Sequence, residues 1–185
     1  MRGEATTFPD TYATLETGLL LEAYQRGPER VRRALNGLTD EALRAHPIPG
    51  KWSVLEIAMH VADSELIGAT RMRLVLGGDG PLLPLYDQDR WSRDLGYEAA
   101  DRTRLERTLD LFTALRATTV PLLAGASSTD WTRTGVHPDY GPVTLRNLLE
   151  LYADHAERHV AQILHRRQLL DVTIDLPLLL TERLY

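Results

Sequence analysis

Two histidines four residues apart, His155 and His159, lie in TLRNLLELYADHAERHVAQILHRR, residues 144–167, a run with neither Pro nor Gly. It is long enough for about six helical turns, and Thr144, just after Gly141 and Pro142, is placed to cap it. The spacing Leu145, Leu148, Tyr152, His155, His159, Gln162 puts both imidazoles on one stripe that begins apolar. Side chains at i and i+4 have Cβ atoms about 6 Å apart, within reach of one metal ion. Burying two uncompensated imidazoles on a core-like stripe is costly, which favours a shared cation over two solvated polar groups. The metallopeptidase pattern His-Glu-x-x-His is excluded, because position 156 is Ala and Glu157 points to the other side of the helix.

A third ligand has to come from another element. Ser53-Val-Leu-Glu56 is a capping box, and it opens a helix to about Leu76 whose inward stripe is Ile57, His60, Ser64, Ile67 and Leu74. His60, midway along that stripe, is the best candidate. His46 and His137 sit beside prolines in loops, and His165 is off the stripe of its helix. Two further helical patterns complete the count. One runs from Thr11 to Leu35 across Gly27-Pro28, as one kinked helix or two; the other runs from Glu98 to Leu123 with Leu105, Leu109, Phe112 and Leu115 inward. LTDEAL, residues 38–43, reads as a short capped turn. Between the second and third long helices, residues 77–97 lack periodicity and read as a docked surface loop, with a pocket lid the less favoured alternative. Trp52 reads as an apolar plug at its helix start. Four long helices with an inward-facing polar triad predict an all-α four-helix bundle with a long crossover between helices 2 and 3. One domain, 1–185, is expected, with a core of about 11–170. Residues 1–10 form a loose lead-in, and the apolar tail 171–185 packs on the body or on a partner subunit.

Composition narrows the partners. The formal charge is -5 over 185 residues, with 21 basic and 26 acidic side chains interspersed, so nucleic acid is excluded as the expected partner. Lys51 is the only lysine. No cysteine is present, which removes disulfides, thiolate metal sites and a cysteine nucleophile. No apolar run reaches the ~20 residues of a membrane span, and no signal peptide is visible, so no membrane partner and a cytoplasmic location are expected.

The segments GKWSVLEIAMHVADSE (50–65) and YGPVTLRNLLELYADHAERHVAQI (140–163) closely resemble the DinB-like (YfiT-like) superfamily. The resemblance extends over roughly residues 28–167 and includes LTDEAL, PLYDQDRW and DWTRTGVHP. It implies a four-helix bundle holding a divalent metal with one His from the second helix and two from the fourth, here His60, His155 and His159. It also implies relatives that are transferases and isomerases using low-molecular-weight thiols such as bacillithiol or mycothiol, beside metal-dependent hydrolases.

Three neutral imidazoles leave a divalent ion its full charge and an open position, the arrangement of catalytic sites. Such an ion polarises a carbonyl, activates water or holds a thiolate. The leading expectation is a metal-dependent S-transferase that joins a low-molecular-weight thiol to an electrophilic small-molecule substrate. The alternatives are hydrolysis by water activated on the metal, and a non-enzymatic, stress-associated metal-binding role. Imidazole suits zinc, nickel, copper and iron alike, and zinc or nickel is the leading expectation. Asp63, Ser64 and Asp154 are candidates to orient ligands or substrate, and Arg71 to meet an anionic group, with an ion pair to Glu65 or Asp63 as its plainer role. His137 is a candidate proton shuttle, no dedicated general base stands out, and the apolar tail makes a homodimer an expectation.

Overall fold

The computed structural model describes residues 11–180. The expected lead-in 1–10 and the last five tail residues lie outside them. The chain forms a four-helix bundle from α1 (Thr17–Leu35), α3 (Val54–Gly77), α5 (Arg102–Ala124) and α6 (Leu145–Leu169). Two short helices, α2 (Asp40–Arg44) and α4 (Gln88–Asp94), lie in the connections, and a hairpin of β1 (Thr134–His137) and β2 (Gly141–Thr144) leads into α6. Helix α1 packs on α5 and α6, and α3 packs on the same two. The ring therefore runs α1, α6, α3, α5, and α3 lies across the bundle from α1. Among the described residues no helix is long and apolar enough to cross a membrane.

The ends of the two helices that carry histidines are fixed by local chemistry. The Ser53 hydroxyl accepts from Glu56 N–H while the Glu56 carboxylate accepts from Ser53 N–H, so two amides of α3's first turn are satisfied reciprocally. Thr144 and Asn147 do the same for α6. Gly68 on α3 lets α6 approach: a Cβ there would sit 2.5 Å from the Tyr152 ring.

The kinked-or-split question at Pro28 resolves as one helix. A proline cannot donate to the carbonyl four residues back, which leaves Tyr24 O without its helical partner. Arg116 of α5 supplies the missing donor through Nη1. Gly27 makes the room, since a Cβ there would lie 2.1 Å from that same nitrogen. Arg116 is buried and also donates to Glu65, which accepts from the Tyr24 hydroxyl as well. A second buried pair, Arg30 with Glu157, spans α1 and α6.

Other boundaries differ from the sequence reading. Helix α1 begins at Thr17 rather than Thr11, and α5 begins at Arg102, capped by Asp101, rather than at Glu98. The loop expected to hold His137 is the hairpin, whose register pairs Thr134 with Thr144 and His137 with Gly141. Gly141 takes the positive φ the turn requires. The hairpin also binds the crossover, with Leu83 N–H donating to Val136 O and Val136 N–H to Pro81 O. Within residues 171–180, Leu176 and Leu180 are buried, Arg30 donates to Pro177 O, and Leu179 N–H donates to Glu157.

Candidate metal centre

Helices α3 and α6 bring His60, His155 and His159 together. Nε2 of His155 lies 3.2 Å from Nε2 of His60 and 3.1 Å from Nε2 of His159, and one ligand nitrogen from each ring falls within 4.8 Å of the other two. Ligands about 2.0–2.1 Å from a tetrahedral ion stand about 3.3–3.4 Å apart, so the two separations made by His155 match those of ligands on a common ion. The three rings meet edge to face, with centroids 4.4 to 5.1 Å apart.

The surroundings keep these rings neutral. Burial lowers the pKa of His60 to about 4. Burial, then the neighbouring His60, lowers that of His159 to about 3 against the opposing bond to Gln162. Burial and both neighbouring imidazoles hold His155 well below the ordinary value. Neutral imidazole is the form that ligates. Gln162 Oε1 lies 3.0 Å from His159 Nδ1, and accepting a proton there leaves the His159 Nε2 lone pair facing the other rings. His60 Nδ1 is buried without a partner, and the Trp52 ring packs 4.8 Å from the His60 ring. The donor set thus fits a divalent cation bound by three Nε2 atoms.

The other candidates spread around this centre. Ser64 is buried and hydrogen-bonds Tyr86, whose ring lies 6.4 Å from that of His60. Asp63 accepts from the Tyr97 hydroxyl at 2.7 Å. Arg71 is buried but forms neither expected ion pair: it donates to Tyr152 OH at 3.1 Å and to Pro84 O. It therefore ties α3 to α6 and to the crossover. Asp154 accepts from Tyr12 OH at 2.8 Å and pairs with Arg158 at 2.9 Å. His137 sits on β1 with its ring 4.9 Å from Tyr140, and its Nδ1 accepts from Asp139 N–H. It packs on these neighbours and not on the triad.

Sequence reasoning ranked a part for the crossover in the pocket second, and it missed that the Trp52 loop borders the site. The crossover was expected to be a docked surface loop, yet it brings Tyr86 to His60 and packs the Trp91 ring, tilted by 47°, 4.8 Å from that of Tyr86. Trp52 plugs the helix start as expected and also walls the triad. The aromatic residues of PLYDQDRW were the available signal.

A bundle of this topology with one imidazole on the second long helix and two on the fourth is the framework of a helical protein with a three-histidine site fit for a divalent cation. Comparison with known proteins specifies it further. The DinB superfamily model matches residues 23–163, and the chain belongs to that superfamily. A probable metal-dependent hydrolase of Oceanobacillus iheyensis is 29% identical over 136 residues, 74% of this chain and 77% of that one. YfiT of Bacillus subtilis is 28% identical over 144 residues, 77% of this chain and 79% of its own. The solved structure of YfiT, a probable metal-dependent hydrolase with an unusual four-helix bundle topology, superposes with a TM-score of 0.76 at 27% identity. That match covers 82% of this chain and 86% of YfiT.

Proposed function

We propose that this chain is a metal-dependent hydrolase whose divalent cation is held by His60, His155 and His159. The observation that carries the reading is the convergence of three neutral Nε2 atoms to separations of 3.1 and 3.2 Å at the junction of α3 and α6. Bound there, a divalent cation supplies Lewis-acid activation of a nucleophile and of the group it attacks. The chain's own residues supply the rest. Gln162 fixes the His159 tautomer, Trp52 and Tyr86 shield the His60 side from water, and Arg71 holds Tyr152 and the crossover in place. The likeness to YfiT supports the hydrolytic class.

A second reading, S-transfer of a low-molecular-weight thiol to an electrophile, is favoured by a different observation. Among the described residues no carboxylate hydrogen-bonds a triad imidazole: Asp63 is engaged by Tyr97, Asp154 by Tyr12 and Arg158, and Glu65 and Glu157 by arginines. A thiol, with a pKa of about 8.5, needs less help to lose its proton than water does, at about 15.7.

The test strips the protein with chelator, reloads it with zinc or nickel, and assays it against ester and amide panels and against monochlorobimane with a thiol panel. Ester or amide turnover without thiol, abolished by chelator and by His155→Ala, supports the hydrolase. Conjugation that depends on one cellular thiol replaces it with the transferase. Tight metal binding with neither activity overturns both.

A further inference from the structure

Among the described residues five arginines are buried: Arg30, Arg71, Arg116, Arg166 and Arg167. Four of them are well engaged. Arg30 and Arg116 pair with glutamates, Arg71 donates to Tyr152 and Pro84, and Arg167 donates to the carbonyls of Ala34 and Asn36. Arg166 is different. It is 7% exposed, and among the described residues it pairs with no carboxylate and makes one hydrogen bond, a long 3.4 Å contact from Nε to Trp52 O. Its stem is packed away while its two Nη groups make no hydrogen bond and meet solvent at a cavity, a fork free to take an anion.

The place where Arg166 lies suggests that partner. It lines a cavity of about 400 Å³ that also contains Lys51, Trp52, Gln162 and His159. The cavity thus opens beside the triad, and its volume suits a small molecule. Its charged lining is two cations, Lys51 and Arg166, against one carboxylate, the exposed Asp89. Gln162 turns its oxygen to His159, which leaves its amide nitrogen available as a further donor. A cation in the last turn of α6 also meets the helix macrodipole, and Arg166 and Arg167 both stand there. The dipole does not account for the unengaged fork of Arg166 beside His159.

We propose that Arg166 and Lys51 form an anion-binding subsite at the mouth of the histidine site, which takes a carboxylate or phosphate group of a small-molecule substrate. This assignment rests on the triad being the reaction centre. The two planar Nη donors match either oxyanion bidentately, and Lys51 adds a mobile charge at the rim. The bond to be transformed lies in the same molecule, one short spacer away, against the Nε2 cluster.

Lys51 provides its own probe, because it is the only lysine in the chain. Reductive ¹³C-methylation keeps its charge and places one side-chain signal at the cavity, assigned by Lys51→Arg. Metal-free protein is then titrated with phenyl phosphate, benzoate and neutral benzamide, so that no anion can bind through a cation at the triad. The expected result is a saturable shift of the Lys51 signal with one or both anions and none with benzamide. The tighter of the two anions names the substrate's group. Arg166→Gln weakens the binding at least tenfold, and Arg166→Lys, which keeps the charge and loses the fork, weakens it to a lesser degree. Circular dichroism checks folding, and the lysine variant carries the test if the glutamine variant does not fold. No shift with either anion, or equal affinity in wild type and the folded variants, overturns the subsite. Metal content of His155→Ala is measured separately: unchanged metal there defeats the triad reading, whereas a failed titration with an intact metal site defeats only the subsite.

Discussion

Replacing Glu157 with alanine tests the energetics of the bundle most directly. The side chain points away from the triad, and on sequence grounds the substitution is expected to leave metal binding intact. The structure gives it a second consequence. Glu157 is fully buried and takes both Nε and Nη2 of Arg30, the latter at 3.0 Å, while Leu179 N–H donates to it at 2.8 Å. Alanine leaves a guanidinium that is 2% exposed without its counter-charge and leaves the Leu179 amide without its acceptor. Removing one partner of a buried pair costs about 3–5 kcal/mol. For a chain of this length that is about 6–20 °C in Tm. Urea and thermal unfolding of Glu157→Ala against wild type, both metal-free, give the number. The double variant Arg30→Met/Glu157→Leu should recover most of the loss, because it leaves no stranded charge. A loss below about 1 kcal/mol in the single variant would show that water reaches the pair and that the ion-pair account of the α1–α6 seam is wrong.

The remaining expectations concern the site. His60→Ala, His155→Ala and His159→Ala should each lose metal while keeping helical circular dichroism, and unchanged metal by elemental analysis in all three sinks the ligand assignment. Gln162→Ala should weaken metal binding about 10–100-fold, since it removes the acceptor that orients His159; equilibrium dialysis measures it. Metal-free protein should lose stability as pH falls below about 6.5, because the unfolded chain takes up protons on histidine there. The folded rings resist protonation until about 4 for His60 and about 3 for His159. The loss therefore accrues between about 6.5 and those lower values at up to about 1.4 kcal/mol per ring per pH unit, and His60→Ala should flatten it in urea titrations. Gly68→Ala should cost about 1–3 kcal/mol by pushing a methyl into the Tyr152 ring, read by the same unfolding curves.

The parts of this protein that could be read in its sequence are those set by neighbours along the chain. Ser53 and Thr144 announce their helices because a cap acts across three residues, and the spacing of His155 and His159 follows from the helical pitch alone. His60 was legible because a polar ring on an apolar stripe needs a reason. What the sequence hid depends on groups far apart in the chain. Nothing near Pro28 shows that Arg116, some ninety residues on, will take the orphaned carbonyl of Tyr24 and keep α1 whole. Nothing near Glu157 shows that Arg30 will meet it, so a charge that reads only as pointing away from the histidines is in fact interior. The hairpin escaped notice because its strands have four residues each and carry the Pro and Gly that mark loops. Arg71 was read by proximity on its own helix, whereas its partners come from α6 and the crossover.

The crossover is anchored along its length. Arg133 grips Gly78 O, the hairpin binds Pro81 and Leu83, Arg71 grips Pro84 O, and Tyr97 closes on Asp63. A segment fastened at so many points is masonry rather than a gate. The cavity lined by Trp52, Gln162 and His159 is then a standing doorway to the centre, open without a backbone rearrangement. Exchange at this centre should follow diffusion and solvent viscosity, and bulk water will share that doorway with every visitor.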